Sequence, residues 1–262
     1  MREDNKKDIQ SLINDHKTAI KDYGPKKAIK DDPFYLEKDR ALIAKEIAIS
    51  LEILINYYQT LFPFLSKIKS HIQDITEQTH IAAMYLTLCN VFEFWSSFFI
   101  LLKNGKGVEC ACLLRTIKEG NMQVDLLVTE ALKGVNIELN KWFSGEILSH
   151  GIGREKLSKF IGESKTEDGD EFKELSTKTY QMESQAAHNS YESILECVSP
   201  FTEDYDFDGY SNNFRASTWA KYAIGSMEAT NISLKGVFEY LKDNKSYKEL
   251  SEILSNQNVK YK

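Results

Sequence analysis

From Ile81 to Leu102 the chain runs for 22 residues with a single charge, Glu93. A segment of that length and apolarity either crosses a bilayer or becomes the core helix of a bundle. The residues inside it decide. Asn90, Glu93, Ser96 and Ser97 cluster in mid-span, where a carboxylate costs roughly 2.5 to 3.5 kcal/mol even on a lenient insertion scale, and no aromatic belt flanks the span. The segment therefore reads as a central helix buried on most sides of a bundle, with no membrane partner. Asn90 and Glu93 are expected to find hydrogen-bond partners inside the fold.

The rest of the chain has the same helical period. Only 4 Pro and 13 Gly punctuate 262 residues, which leaves room for long elements. The expected fold class is all-α, a single helical bundle built round the apolar central helix and an antiparallel helix hairpin. Residues 1–30 read as a short leading helix and basic arm, and 31–262 as the bundle domain. Asp32-Pro33 opens a long helix that stops or kinks before Pro63. A weaker helical segment covers 64–76, and the central helix runs from about Thr79 to Lys103. Asn104-Gly105 ends it with a left-handed cap, so the next helix, closed by Gly134, folds back against it. A shorter helix is expected from Asn136 to His150, irregular chain over 152–169, and a further helix from Asp170 to the residues before Pro200. A last long helix spans Phe214 to Asp243, and a small one lies around Leu250 to Leu254.

A formal charge of −6 provides no global field for a nucleic acid backbone. The basic run Lys17, Lys21, Lys26, Lys27 and Lys30 is a local exception and reads as a solvated arm. Cys89, Cys110, Cys112 and Cys197 lack the spacing of a zinc or redox motif and read as reduced core residues. The first ten residues, MREDNKKDIQ, have no apolar signal region, so the cytoplasm is the expected compartment.

Two stretches carry chemistry. In 101–127 Arg115 and Glu119 are four apart and share a helix face with Cys112 and Met122, so the two charges can pair within an apolar stripe. In 180–198 Tyr180, Ser184 and His188 repeat at four-residue spacing, with Tyr191 one turn on, lining a helix stripe with two kinds of hydroxyl and an imidazole. If the two stripes face each other they supply a titratable base, a fixed cation and an orienting carboxylate.

The order Leu101-Leu102, Gly105, Ala111, Leu113-Leu114-Arg115 and Glu119, followed later by Ser184 with His188, resembles a family of bacterial all-helical proteins known only as a domain of unknown function. The likeness covers roughly residues 95–127 and 178–198, about a fifth of the chain. It singles out Arg115, Glu119, Ser184 and His188 as polar positions and brings no established activity. That family in turn resembles the HEPN superfamily, helical bundles that include dimeric, metal-independent ribonucleases of toxin and phage-defence systems. The HEPN signature is an Arg and a His four to six residues apart on one helix, and no Arg of this chain is followed by a His at that spacing. A standard HEPN nuclease site is therefore absent, and any such activity needs Arg115 and His188 brought together from two helices.

Other chemistries are thinned by their missing motifs. There is no Walker loop, HExxH, GxSxG or paired Glu-x-x-His motif, and Gly151-Ile152-Gly153-Arg154 lacks the third Gly and preceding strand of a dinucleotide fingerprint, reading instead as a turn. Asp204, Asp206, Asp208 and Gly209 open like a calcium loop, but Arg215 stands where the bidentate Glu belongs, so no tight calcium site is expected. No cofactor and no metal are expected. Two functional readings follow: a bacterial effector of defence or toxin type acting on RNA, with Tyr180, Ser184, His188, Arg115 and Glu119 as its site, or a non-enzymatic interaction or sensor module in which the same cluster is structural. Either would work as a homo-oligomer, a dimer by default, or with an operon-encoded partner.

Overall fold

The computed structural model describes residues 33–146, 150–164 and 213–260, together with 173–174, 177–178 and 181. The N-terminal arm, the stripe of Tyr180, Ser184 and His188, Cys197 and the loop at Asp204–Gly209 lie outside the described residues. Every long element is an α-helix, and no strand occurs among the described residues, as the sequence pattern requires. In chain order these are α1 (Pro33–Leu61), α2 (Pro63–Lys69), α3 (His80–Lys103), α4 (Gly107–Lys133), α5 (Ile137–Ser144), α6 (His150–Ser164), α7 (Asn213–Tyr240) and α8 (Asn244–Lys260).

The hairpin of α3 and α4 is the centre of the bundle, because its turn is fixed locally. The Thr79 hydroxyl caps α3 by accepting from Ala82 N at 3.3 Å. At the other end Gly105 takes φ 69°, and Lys106 N donates to Leu101 O while Gly105 N donates to Leu102 O, both at 3.0 Å. That pair of bonds closes the helix in a left-handed turn that only Gly adopts without strain. α4 then packs along α3 so closely that a Cβ on Gly120 would lie 2.5 Å from Val91 Cγ2. A mid-helix glycine, intrinsically unfavourable by about 1 kcal/mol, is thus explained by contact.

α7 lies along both α4 and α1, and α8 folds back on α7. The shared core contains Leu54, Tyr57, Phe92, Trp95, Phe98, Leu114, Ile117, Leu234 and Phe238, each almost fully buried. α3 places Ala82, Ala83, Met84, Leu88, Val91, Phe92, Trp95, Phe98 and Leu102 in this interior. It has the length and apolarity of a membrane span, with 39% of that apolar stretch buried inside the bundle.

The structure corrects the sequence reading in several places. α3 is not buried on most sides: Asn90, Glu93, Ser96 and Ile100 form an exposed stripe, so Asn90 and Glu93 face outward rather than into a buried network. The polar interruptions of the apolar run mark the open face. The Gly151–Arg154 tetrapeptide is no turn, and the first part of 152–169 is no loop, since both lie in α6. Gly153 faces α4 there, where a Cβ would come within 2.6 Å of Cε and Sδ at the flexible end of Met122; propensity alone reads this helix contact as a breaker. α5 ends at Ser144, where Gly145 takes φ 76°, rather than at His150. α2 stops at Lys69 rather than near 76, and α8 is 17 residues long rather than one or two turns.

Candidate functional site

α4 carries the charged stripe because one of its faces is committed elsewhere. Cys110, Ala111, Leu114, Ile117, Val124 and Leu127 are buried in the core, which leaves Cys112, Arg115, Glu119 and Met122 on an adjoining face. Arg115 Nε donates to Glu119 Oε1 at 3.0 Å, with the two side chains 22% and 38% exposed. The pairing expected from the spacing is formed, and it holds the guanidinium in one orientation while leaving part of it in reach of solvent. One turn further along, Met122 and Leu126 pack on Leu157 of α6, so the stripe passes from charged to apolar where α6 covers it.

A second cation stands beside the pair. Lys118 Nζ hydrogen-bonds the Tyr222 hydroxyl and lies 4.0 Å from the centroid of its ring, tying α4 to α7. Sequence reasoning missed it, although Lys118 at three residues from Arg115 is the usual spacing for a neighbour on the same helix surface. The two cations and Glu119 therefore occupy little more than one helical turn in a chain of net negative charge. Cys112, in the same stripe, is a slow nucleophile: burial pushes its thiol up, Glu109 adds to the shift, and Arg115 only partly opposes it.

Tyr180, Ser184 and His188 lie outside the described residues, so of the five expected site residues the structure positions Arg115 and Glu119. Among the described residues no group of three His, Cys, Asp or Glu side chains is placed to hold a metal.

Two further polar clusters sit on α4, and neither was singled out from sequence. Towards its middle, Trp95 Nε1 and Asn121 Nδ2 both donate to Thr230 Oγ1, at 3.2 and 3.0 Å, and Thr230 in turn donates to Ser226 O at 3.2 Å. One hydroxyl thereby knots α3, α4 and α7 together in the core. Asp125, one turn on, has its carboxyl raised by burial to about 7, with the Ser233 hydroxyl opposing.

At the C-terminal end of α4, Glu130 replaces the missing side-chain cap of α5. Its carboxylate accepts from Glu138 N at 2.8 and 2.9 Å and from Leu139 N at 3.2 Å, where the helix dipole favours a negative charge. Glu138, 2% exposed, is held between Lys141 at 3.2 Å and Lys156. Burial pushes its carboxyl up, but the hydrogen bonds and charges of Lys156 and Lys141 outweigh that and hold it below its ordinary value.

No protein-family model, curated protein or solved structure matches this chain. Its function is therefore argued from the geometry above.

Proposed function

We propose that this protein is a HEPN-like bacterial effector that cleaves RNA without a metal, with Arg115 and Glu119 of α4 as the fixed part of its site and His188, supported by Ser184 and Tyr180, as the titratable part. The observation that carries the reading is the half-open Arg115–Glu119 pair with Lys118 beside it: an oriented cation, backed by a second, on a helix otherwise given over to the core. Phosphate ester cleavage in RNA needs little else. The neighbouring 2′-hydroxyl is the nucleophile. His188 takes its proton as the new O–P bond forms, and the proton is returned to the departing 5′-oxygen as the old bond breaks. Arg115 neutralises charge that builds on the non-bridging oxygens.

A second reading is favoured by the closeness of the pair. A carboxylate 3.0 Å from the guanidinium already neutralises it and competes with a phosphate, which suits a non-enzymatic interaction or sensor module in which the cluster is structural. Single-stranded RNA incubated with the full chain in chelator separates the two. The effector reading expects cleavage that His188→Ala and Arg115→Ala abolish while both variants melt like the wild type. No cleavage by the wild type, with both variants strongly destabilised, would leave the structural module.

A further inference from the structure

A cavity of 410 Å3 opens between α1, α2 and α3, on the face of α3 that carries Tyr85, Cys89, Phe92 and Glu93. Its size lies in the range of small-molecule sites, which are commonly roughly 300 to 1,000 Å3. One wall is aromatic. Phe62, 47% exposed, stacks on Tyr58 with centroids 5.6 Å apart and an interplanar angle of 24°, and meets Phe92 edge-on at 5.8 Å. An exposed ring fixed from behind by two others is a platform for a flat ligand.

The polar groups stand apart along this wall. Lys69 Nζ lies 5.7 Å from the Tyr85 ring centroid, whereas Glu93 is two turns along α3 from Tyr85, about 12 Å in helix rise. Both are exposed, and neither forms an ion pair with a described residue. Lys69 and Glu93 thus line the same cavity with opposite charges and no ion pair between them, unlike the pair on α4. The Cys89 thiol between them is pushed up by burial, with Tyr85 and Lys69 only partly offsetting that, so it reacts slowly enough for shielding by a ligand to be read from its labelling rate.

We infer that this cavity binds a purine nucleoside monophosphate, with the phosphate on Lys69, the base stacked on Phe62 and its hydrogen-bond edge on Glu93. The exposed aromatic ring of Phe62 in the same wall suits a ligand with a flat base better than a single amino acid. A carboxylate accepts two adjacent N–H donors at once, which guanine presents at N1 and N2 and which hypoxanthine, adenine and the pyrimidines do not. GMP is accordingly the preferred ligand. The site stands whether or not α4 cleaves RNA, because it shares no residue with that stripe.

The test is calorimetric titration of the full chain with GMP, IMP, UMP, guanosine and a 5′-phosphorylated tetraribonucleotide, alongside maleimide labelling followed at Cys89 and Cys112 by mass spectrometry. GMP is expected to bind and to slow labelling at Cys89 but not at Cys112. UMP and guanosine should each be weaker by about tenfold or more. Lys69→Ala should weaken GMP to the level of guanosine, and Glu93→Gln should erase the preference for GMP over IMP; both side chains are exposed, so the fold is retained. No heat and no protection of Cys89 by GMP overturns the proposal, as does GMP binding unchanged in both variants. Tighter binding of the tetranucleotide than of GMP overturns it in favour of a strand-binding groove.

Discussion

Two polar clusters lie within two turns of each other on α4 and differ in nearly everything but sequence distance. Around Asn121 the polar groups are sealed: Asn121 is 3% exposed, Thr230 and Trp95 are 0% exposed, and one hydroxyl serves two donors from two helices. Around Arg115 the groups are charged and partly open, with Arg115 paired to Glu119 along α4 and Lys118 bonded to Tyr222 of α7. The sealed cluster has no substrate to meet, so its content is register, fixing how α3, α4 and α7 align. The open one adds little to packing, since half-exposed pairs within one helix are commonly worth less than about 1 kcal/mol. The difference teaches that burial, more than residue type, separates polar groups that hold this bundle from those available for chemistry.

The largest way to break the sealed side is Trp95→Ala, which empties a fully buried site and should destabilise by about 3 to 5 kcal/mol in denaturant titration. Such a loss belongs to Trp95 or Phe92 and not to Phe94, which is only partly buried against the core. Next is the contact that sets the α3–α4 distance. Gly120→Ala drives a Cβ into Val91 Cγ2, a stiff β-branched group, and should cost about 1 to 3 kcal/mol, and combined with Val91→Ala should cost less than the sum of the two single losses. Additive losses in that pair would show that the close approach is not what selects glycine.

The effect expected at Asp125 depends on pH. Its folded pKa of about 7 lies above the unfolded value of 3.8, so between these values the unfolded chain has released a proton that the folded chain keeps. Stability therefore falls as pH rises through that window and levels off above it. Asp125→Asn removes this dependence. Its stabilisation relative to wild type should grow from below 3.8 to above 7, and a difference constant with pH would mean that the carboxyl is not held neutral.

The helical class and the α3–α4 hairpin were legible because apolar period, capping threonine and turn glycine all point the same way. The Arg115–Glu119 pair was legible because helix spacing alone places it. What sequence could not show depends on neighbours far along the chain. The outward face of Asn90 and Glu93 is set by where α1 and α4 sit. Gly153 looks like a breaker until Met122 is seen against it. The Thr230 knot joins residues 135 and 109 positions apart, with no local signal. Lys118 falls under the same helix spacing as the Arg115–Glu119 pair, three residues from Arg115.

The proposal that α4 divides its polar groups between holding the fold and cleaving RNA is tested by thermal melts and RNA-cleavage rates measured side by side on wild type, Thr230→Val and Arg115→Ala. Thr230→Val leaves two buried donors unpaired, each costing about 1 to 3 kcal/mol, so it should lower the melting temperature clearly while cleavage below that temperature keeps the wild-type rate. Arg115→Ala should abolish cleavage and shift stability by less than about 1 kcal/mol. A wild type that leaves RNA intact, or an Arg115→Ala variant that melts as early as Thr230→Val with no loss of cleavage, would contradict the account.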